Sequence, residues 1–362
     1  MEIRLLLVAF ILGFFIPGGT ALGQIYWTEK KDGSVSFSDN PTSSVLNEDS
    51  AEKTWIRPEI QKEVTKYSLP DKNWAVEFPL KGFKIQESEV LRDFEGIRVQ
   101  AQSDRTNLIF SVSLTPATRA LDNKGLRESN WNRLKNLPFK RDSVKKYDSG
   151  DWAFLEYVIR DVEGVKCAKG MNQKNVFAYH VKGNTWINFH LSKVLYEPPD
   201  ERHFKEFIAL VKILQPFSHS SVDHFFFGSH YYYNKKFMKA ILHYEKAMAE
   251  EKQNPLLGKD LGRVLIDNLG MAYGLTGNLA MSKKTFEYGI SKDPAFPMYY
   301  YNLACTYAEM DNLEKAVENL RLAARYKNNM IPGEKPPDAF KDPSFKPFYN
   351  NPKFIQAAKA FR

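Results

Sequence analysis

The chain has 362 residues, which is long enough for two or three domains with real cores, and its 43% hydrophobic and 26% charged residues exclude wholesale disorder. Its two cysteines, Cys167 and Cys305, are too few for a disulfide framework or a four-thiolate zinc site. Lys and Arg outnumber Asp and Glu by 51 to 43, but the basic residues are dispersed. The densest run, from Arg133 to Lys146, is predicted to be a solvated face, so we expect no nucleic-acid partner.

Residues 1–23 have the pattern of a secretion signal. Arg4 precedes a 12-residue apolar run from Leu5 to Ile16, and a Pro-Gly-Gly break is followed by Ala21-Leu22-Gly23, which supplies the small residues that a signal peptidase reads. The run is shorter than the ~20 apolar residues that a membrane-spanning helix needs. We therefore expect cleavage after Gly23 and a periplasmic or secreted product without a stable membrane anchor.

Residues 24–45 are predicted to form a β-hairpin module. Two short alternating segments flank Asp32-Gly33, a dipeptide that readily adopts the positive φ values of a tight turn. The segment also resembles a short module that follows the signal peptide in many proteobacterial envelope proteins. Alternatively, it is a hairpin that docks on another domain, because an isolated two-stranded ribbon is only marginally stable. Residues 46–72, rich in Ser, Glu and Lys, are predicted to be a linker with at most one short ordered piece.

Residues 73–217 are predicted to form an α/β sandwich, an antiparallel sheet covered by helices. Apolar residues alternate with polar ones around Trp74, Ile97 and Leu108, which is typical of half-buried strands. Helical spacing of apolar residues follows near Leu126 and again near Phe204. The layout resembles the PsbP and Mog1 type of α/β/α sandwich. Three further strands are predicted at 152–160, 176–181 and 185–191.

This middle region contains no recognised catalytic motif, metal-ligand spacing or phosphate-binding loop, so we expect neither an enzyme nor a cofactor. The alternative is a small-molecule-binding or catalytic α/β domain that the C-terminal region locates. Its chemistry would then lie in a deep pocket that contains His180, His190, Cys167 or Asp151.

The C-terminal third contains an internal repeat at residues 221–331. Leu269, Gly270 and Phe286 recur 34 residues later as Leu303, Ala304 and Leu320, and an earlier copy is offset by 42 residues. Small residues at fixed positions allow two helices to pack closely while large residues fill the gap between them. The pattern resembles the tetratricopeptide repeat, although Ser282 and Asn328 depart from its usual Ala and Pro. The resemblance implies three helix-turn-helix units in a solenoid and a protein- or peptide-binding role.

The resemblance also implies a binding groove on the first helix of each repeat. Because aromatic and apolar residues dominate the predicted groove, extended or helical apolar peptides are the expected ligands. Alternatively, several of these aromatic residues belong to the core between repeats. The groove positions are Phe225, Ser229, Tyr232, Asp267, Met271, Tyr301 and Cys305.

Residues 332–362 are predicted to cap the solenoid, since an unpaired repeat face cannot bury its own apolar side chains. Phe345, Phe348, Phe354 and Ile355 are the expected buried contacts. The fold class is therefore an antiparallel α/β/α sandwich followed by an all-α repeat array. The expected function is a non-enzymatic adaptor that binds another envelope protein or peptide.

Overall fold

A computed structural model describes residues 26–29, 35–38, 64–91, 94, 96–136, 139–162 and 172–362. The predicted signal peptide and Cys167 lie outside these residues, as do most of the predicted linker and the hairpin turn. The chain divides near residue 218 into two compact units, one rich in strands and one helical. Within the described residues, no helix combines the length and apolarity needed to cross a lipid bilayer.

Two short strands, β1 (Tyr26–Glu29) and β2 (Val35–Ser38), pair antiparallel with Tyr26 opposite Ser38. This pairing is the two-stranded ribbon that the alternation predicted. The resemblance to an envelope-protein module stays a prediction.

The strand-rich unit contains a seven-stranded antiparallel sheet and a separate three-stranded sheet. The larger sheet has the order β5-β6-β7-β11-β10-β9-β8, and the smaller one has the order β12-β4-β3. Their strands are β3 (Val64–Tyr67), β4 (Ala75–Pro79), β5 (Lys84–Val90), β6 (Ile97–Gln102), β7 (Ile109–Pro116), β8 (Phe139–Ser149), β9 (Trp152–Val162), β10 (Asn172–Lys182), β11 (Thr185–Val194) and β12 (Lys212–Leu214).

The seven-stranded sheet carries a different apolar layer on each face. On one face, Phe110 and Phe189 pack edge-on against Phe78 of the small sheet, and helix α2 (Glu201–Ala209) adds Phe207. On the other face, helix α1 (Asn123–Leu134) packs on β9 and β10. The antiparallel sheet with a helix on each face confirms the predicted sandwich.

The ordered unit begins earlier than the predicted boundary at residue 73. Strand β3, inside the predicted linker, pairs with β4, and the Tyr67 ring stacks on Phe78 with centroids 5.4 Å apart. Leu69 is also buried. Strand β3 is only four residues long and follows a segment rich in charged residues, so its pairing with β4 rather than its sequence reveals it as part of the sheet.

The helical unit consists of three antiparallel helix pairs and a final helix. The short connections between consecutive helices favour antiparallel neighbours, as in helical repeat arrays. The pairs are α3 (Ser221–Tyr233) with α4 (Phe237–Gln253), α5 (Gly258–Leu275) with α6 (Leu279–Lys292), and α7 (Pro297–Glu309) with α8 (Leu313–Tyr326), followed by α9 (Pro352–Phe361).

Candidate partner-binding face of the helical repeats

Close approach within each helix pair depends on small residues. A Cβ atom on Gly228 would lie 2.5 Å from the Tyr244 ring, and one on Gly270 would lie 2.5 Å from the Phe286 ring. At the equivalent point of the third pair, Ala304 and Leu320 are fully buried. The large ring of one helix thus fills the space left by the small residue of the other, as the 34-residue period predicted.

The first helices of the three pairs, α3, α5 and α7, form one continuous surface, here called the inner face. Tyr232 of α3 reaches α5, where its hydroxyl lies 3.6 Å from the Met271 sulfur. Asn302 of α7 donates a hydrogen bond of 2.7 Å to Asp267 Oδ1 on α5. Four of the predicted groove residues therefore lie on the three helices of this face: Tyr232 on α3, Asp267 and Met271 on α5, and Tyr301 on α7.

The chain's own C-terminal segment covers the third repeat. The Tyr301 hydroxyl donates a hydrogen bond of 2.9 Å to Asp342 Oδ2, and its ring packs against Phe361 and Phe345 at centroid distances of 5.4 and 5.9 Å. Cys305 Sγ lies 3.5 Å from the same Asp342 oxygen. Burial, and then the nearby Asp342 carboxylate, raises the pKa of the Cys305 thiol, so the thiol is not activated as a nucleophile.

These contacts correct one expectation about the groove. Tyr301 is 2% exposed and Phe225 is 1% exposed, so neither offers its ring to a partner in this conformation. Phe225 packs against Phe226 and Tyr244, as a core residue does. Ser229 is also buried and accepts a hydrogen bond from the Tyr244 hydroxyl. Phe225 is therefore a core residue of the first helix pair, whereas Tyr301 is buried by the C-terminal segment.

The remaining apolar strip lies on the first two repeats. Tyr232 and Met271 are partly buried, and Leu275 is 57% exposed one helical turn beyond Met271. We call Tyr232, Met271 and Leu275 the apolar strip. Sequence reasoning missed Leu275, although its spacing of four residues from Met271 places both on one side of a helix.

Acidic groups border this strip. Loss of solvent, and then the nearby Glu334 carboxylate, raises the pKa of Asp267 to about 7, although the hydrogen bond from Asn302 opposes the shift. Burial raises the pKa of Glu334 to about 6. Glu334 belongs to the segment after the last repeat, and it was not among the predicted site residues. The inner face thus carries carboxyl groups that gain a proton more readily than usual.

The histidines near the start of the array pair differently from their spacing in sequence. His224 Nδ1 lies 3.2 Å from His243 Nδ1 on the next helix, and burial lowers the pKa of His224 to about 3 and of His243 to about 4. Both rings are therefore neutral near pH 7. Among the described residues, no group of three His, Cys, Asp or Glu side chains is placed to hold a metal ion.

The residues proposed for chemistry in the strand-rich unit do not converge. In β10 and β11, alternation places His180 on one face of the sheet and His190 on the other. His180 Nδ1 lies 2.7 Å from the Asp151 carbonyl oxygen, whereas His190 stacks on Phe177 and bonds to Asn175. Burial lowers the pKa of His190 to about 4. The structure therefore brings together no acid-base pair from these two histidines.

Comparison with protein families supports the repeat assignment. A family model described as a tetratricopeptide repeat matches residues 285–318, from the middle of α6 into α8. The matched segment is one repeat long and contains Pro294, at the turn between the second and third helix pairs. No curated protein sequence matches the chain.

Several solved structures are similar to parts of the chain. The Sgt2 TPR domain from Aspergillus fumigatus has 16% identity and a TM-score of 0.28, covering 38% of this chain and 77% of that one. The Saccharomyces cerevisiae Ran-binding protein Mog1p has 11% identity and a TM-score of 0.28, with coverages of 41% and 94%. LpqN of Mycobacterium tuberculosis, described as involved in cell envelope biogenesis, has 12% identity and a TM-score of 0.25, with coverages of 41% and 90%.

Proposed function

We propose that the protein is a non-enzymatic adaptor that acts outside the cytoplasm and binds an envelope protein or peptide on its inner face. Tetratricopeptide repeats are a class of protein-interaction module, and the family match supports this general role. The N-terminal pattern of residues 1–23 motivates the location.

The proposal rests on the intramolecular contact between the C-terminal segment and the inner face. At the third repeat the inner face holds a segment that contains Asp342 and Phe345, through one hydrogen bond to Tyr301 and aromatic packing around its ring. A polar anchor combined with buried rings is the chemistry by which grooves bind peptides. The apolar strip on the first two repeats supplies similar chemistry, with the Tyr232 ring, the Met271 thioether and the exposed Leu275 side chain.

A site-specific photocrosslinker tests this proposal. Benzoylphenylalanine is placed at Leu275, which is 57% exposed in α5, and in a matched control at Leu242, which is 50% exposed in α4. In the native cells we expect one discrete protein adduct from position 275 and none from position 242. Equal adducts from both positions, or none from either, would contradict binding at the apolar strip.

The location is tested separately. A fusion of residues 1–40 to a reporter that is active only in the periplasm should be active. A reporter that remains inactive would show that the N-terminal pattern does not direct export. The crosslinking experiment would still test partner binding at the apolar strip.

A further inference from the structure

Helix α1 leaves part of the seven-stranded sheet uncovered. The helix packs on β9 and β10, while β11, β7 and β6 continue the same face beyond it. Residues of this face alternate with the fully buried ones and are half-buried along all three strands. Cavities that bind small ligands typically measure about 300–1,000 Å³, and the space between α1 and these strands measures ≈ 600 Å³.

The strand register places polar groups in one row across this face. Arg98 of β6 lies opposite Ser113 of β7, Ser113 lies opposite Asn188 of β11, and Asn188 lies opposite Tyr179 of β10. Trp186 stands two residues before Asn188 and therefore shares its face. An apolar sheet face would pack against a helix at this point, whereas this one presents hydrogen-bonding groups.

The cavity walls are cationic. Arg98, Arg119 and Arg133 come from a strand, a loop and helix α1, and none of the eleven lining residues is acidic. Two of the guanidinium groups donate hydrogen bonds to neutral side chains. Arg119 donates to the Ser129 hydroxyl, and Arg133 donates to Asn130 Oδ1. Guanidinium groups bind carboxylates and phosphates with paired, directional hydrogen bonds.

Two polar atoms of the lining residues have hydrogen-bonding capacity that the protein does not use. Among the described residues, neither the Trp186 Nε1 donor nor the Asn188 Oδ1 acceptor has a partner. The Asn188 amide nitrogen is used, since it donates to the Ser113 hydroxyl at 3.3 Å. Buried polar atoms in native proteins are nearly always paired, so unpaired ones beside a cavity indicate a ligand that completes them.

We propose that this cavity binds a small hydroxylated organic anion. Its carboxylate or phosphate accepts hydrogen bonds from the arginines, and another of its oxygens accepts one from the Trp186 indole. A ligand hydroxyl donates to Asn188 Oδ1. This assigns the strand-rich unit a binding site of its own, on the face of the sheet opposite His180.

Calorimetric titration of the full chain with three compounds of similar size tests the proposal. Glucose 6-phosphate and glucuronate carry the anion and the hydroxyl groups, whereas glucose carries the hydroxyl groups alone. We expect saturable binding of at least one of the two anions and none of glucose. The stronger of the two distinguishes a phosphate from a carboxylate as the recognised group.

Two arginine variants with similar exposure locate the site. Arg119→Gln removes a lining charge, and Arg105→Gln removes an exposed charge from the turn between β6 and β7. We expect Arg119→Gln to weaken anion binding by about tenfold, equivalent to the loss of one charge-assisted contact, while Arg105→Gln leaves it unchanged. Trp186→Phe should also weaken binding, because it removes the indole donor.

Three outcomes would overturn the proposal. They are the absence of binding by both anions, equal binding of glucose, and equal weakening by Arg119→Gln and Arg105→Gln. Thermal unfolding of each variant shows whether the fold is intact. If Trp186→Phe fails to fold, the comparison of the two exposed arginines still decides the result.

Discussion

Gly262 and Gly270 of helix α5 differ in the space that their surroundings leave for a side chain. A Cβ atom on Gly270 would lie 2.5 Å from Phe286, whereas one on Gly262 would have no atom within 4 Å. The sequence identifies Gly270 because it recurs at a repeat position, but it does not distinguish a glycine that is required from one that is merely tolerated. The packing of the neighbouring helix makes that distinction.

We therefore predict opposite effects for the two alanine substitutions. Gly270→Ala should lower the free energy of unfolding by about 1–3 kcal/mol, because Phe286 has to move. Gly262→Ala should raise it by about 0.5–1 kcal/mol, because alanine reduces the entropy cost of forming a helix. Urea unfolding followed by far-UV ellipticity measures both. Similar losses in the two variants would contradict the packing argument.

Asp267 predicts a pH dependence of stability. Its pKa is raised to about 7 in the fold from a usual value near 4, so between these pH values the folded state binds more protons than the unfolded state. Its contribution to stability is complete below about pH 4 and is lost as the pH rises through about 7. Asn at this position keeps an acceptor for Asn302 and cannot ionise.

Asp267→Asn should therefore gain stability relative to the wild type as the pH rises from 4 to 8. The difference between the two proteins is the quantity to measure, by urea unfolding at each pH, because His224 and His243 impose an opposite slope on both. Their lowered pKa values mean that stability falls as the pH drops from about 6.5 towards 4. A difference that does not change with pH would show that the Asp267 carboxyl group is not perturbed.

At the scale of elements, the C-terminal segment combines a predicted cap with a contact on the inner face, and the sequence predicted only the first of these two roles. The aromatic spacing predicted a cap, and in the structure Phe345, Phe348 and Phe354 are buried and Ile355 is partly buried. The segment also occupies the inner face at the third repeat through Asp342. That second role depends on where the chain crosses α7, which no local pattern encodes.

We predict that the cap contributes strongly to the stability of the helical unit. Phe354 is fully buried and packs against Phe345 and Phe340, so Phe354→Ala should cost about 3–5 kcal/mol. Its neighbour Lys353 is exposed, so Lys353→Ala is the matched control and should cost little. Deletion of residues 340–362 should lower the melting temperature further. An unchanged melting temperature after that deletion would remove the cap role.

For the whole molecule, the division into two compact units predicts that stability can be changed in one unit at a time. Phe110 is fully buried in the strand-rich unit, which also contains Trp74, Trp131, Trp152 and Trp186. Phe110→Ala should therefore lower the midpoint reported by tryptophan fluorescence more than the midpoint reported by helical ellipticity. Equal shifts by both probes would show that the described units unfold as one.

The sequence by itself determined the elements whose information is local or periodic. Alternation predicted the hairpin and the sandwich strands, and the 34-residue period predicted three helix pairs, because side-chain burial follows the period of each backbone type. It placed the start of the sandwich too late, since the four-residue strand β3 is recognisable only beside β4.

Only the tertiary structure decided which groove residues remain available and where the strand-rich unit has a cavity. Tyr301 is buried because Asp342 and Phe361, about 40 and 60 residues further on, fold back onto it. Arg98, Arg119 and Trp186 line one cavity because strand register and helix placement bring them together. Contacts between residues distant in sequence leave no periodic trace, so they become visible only when the chain is folded.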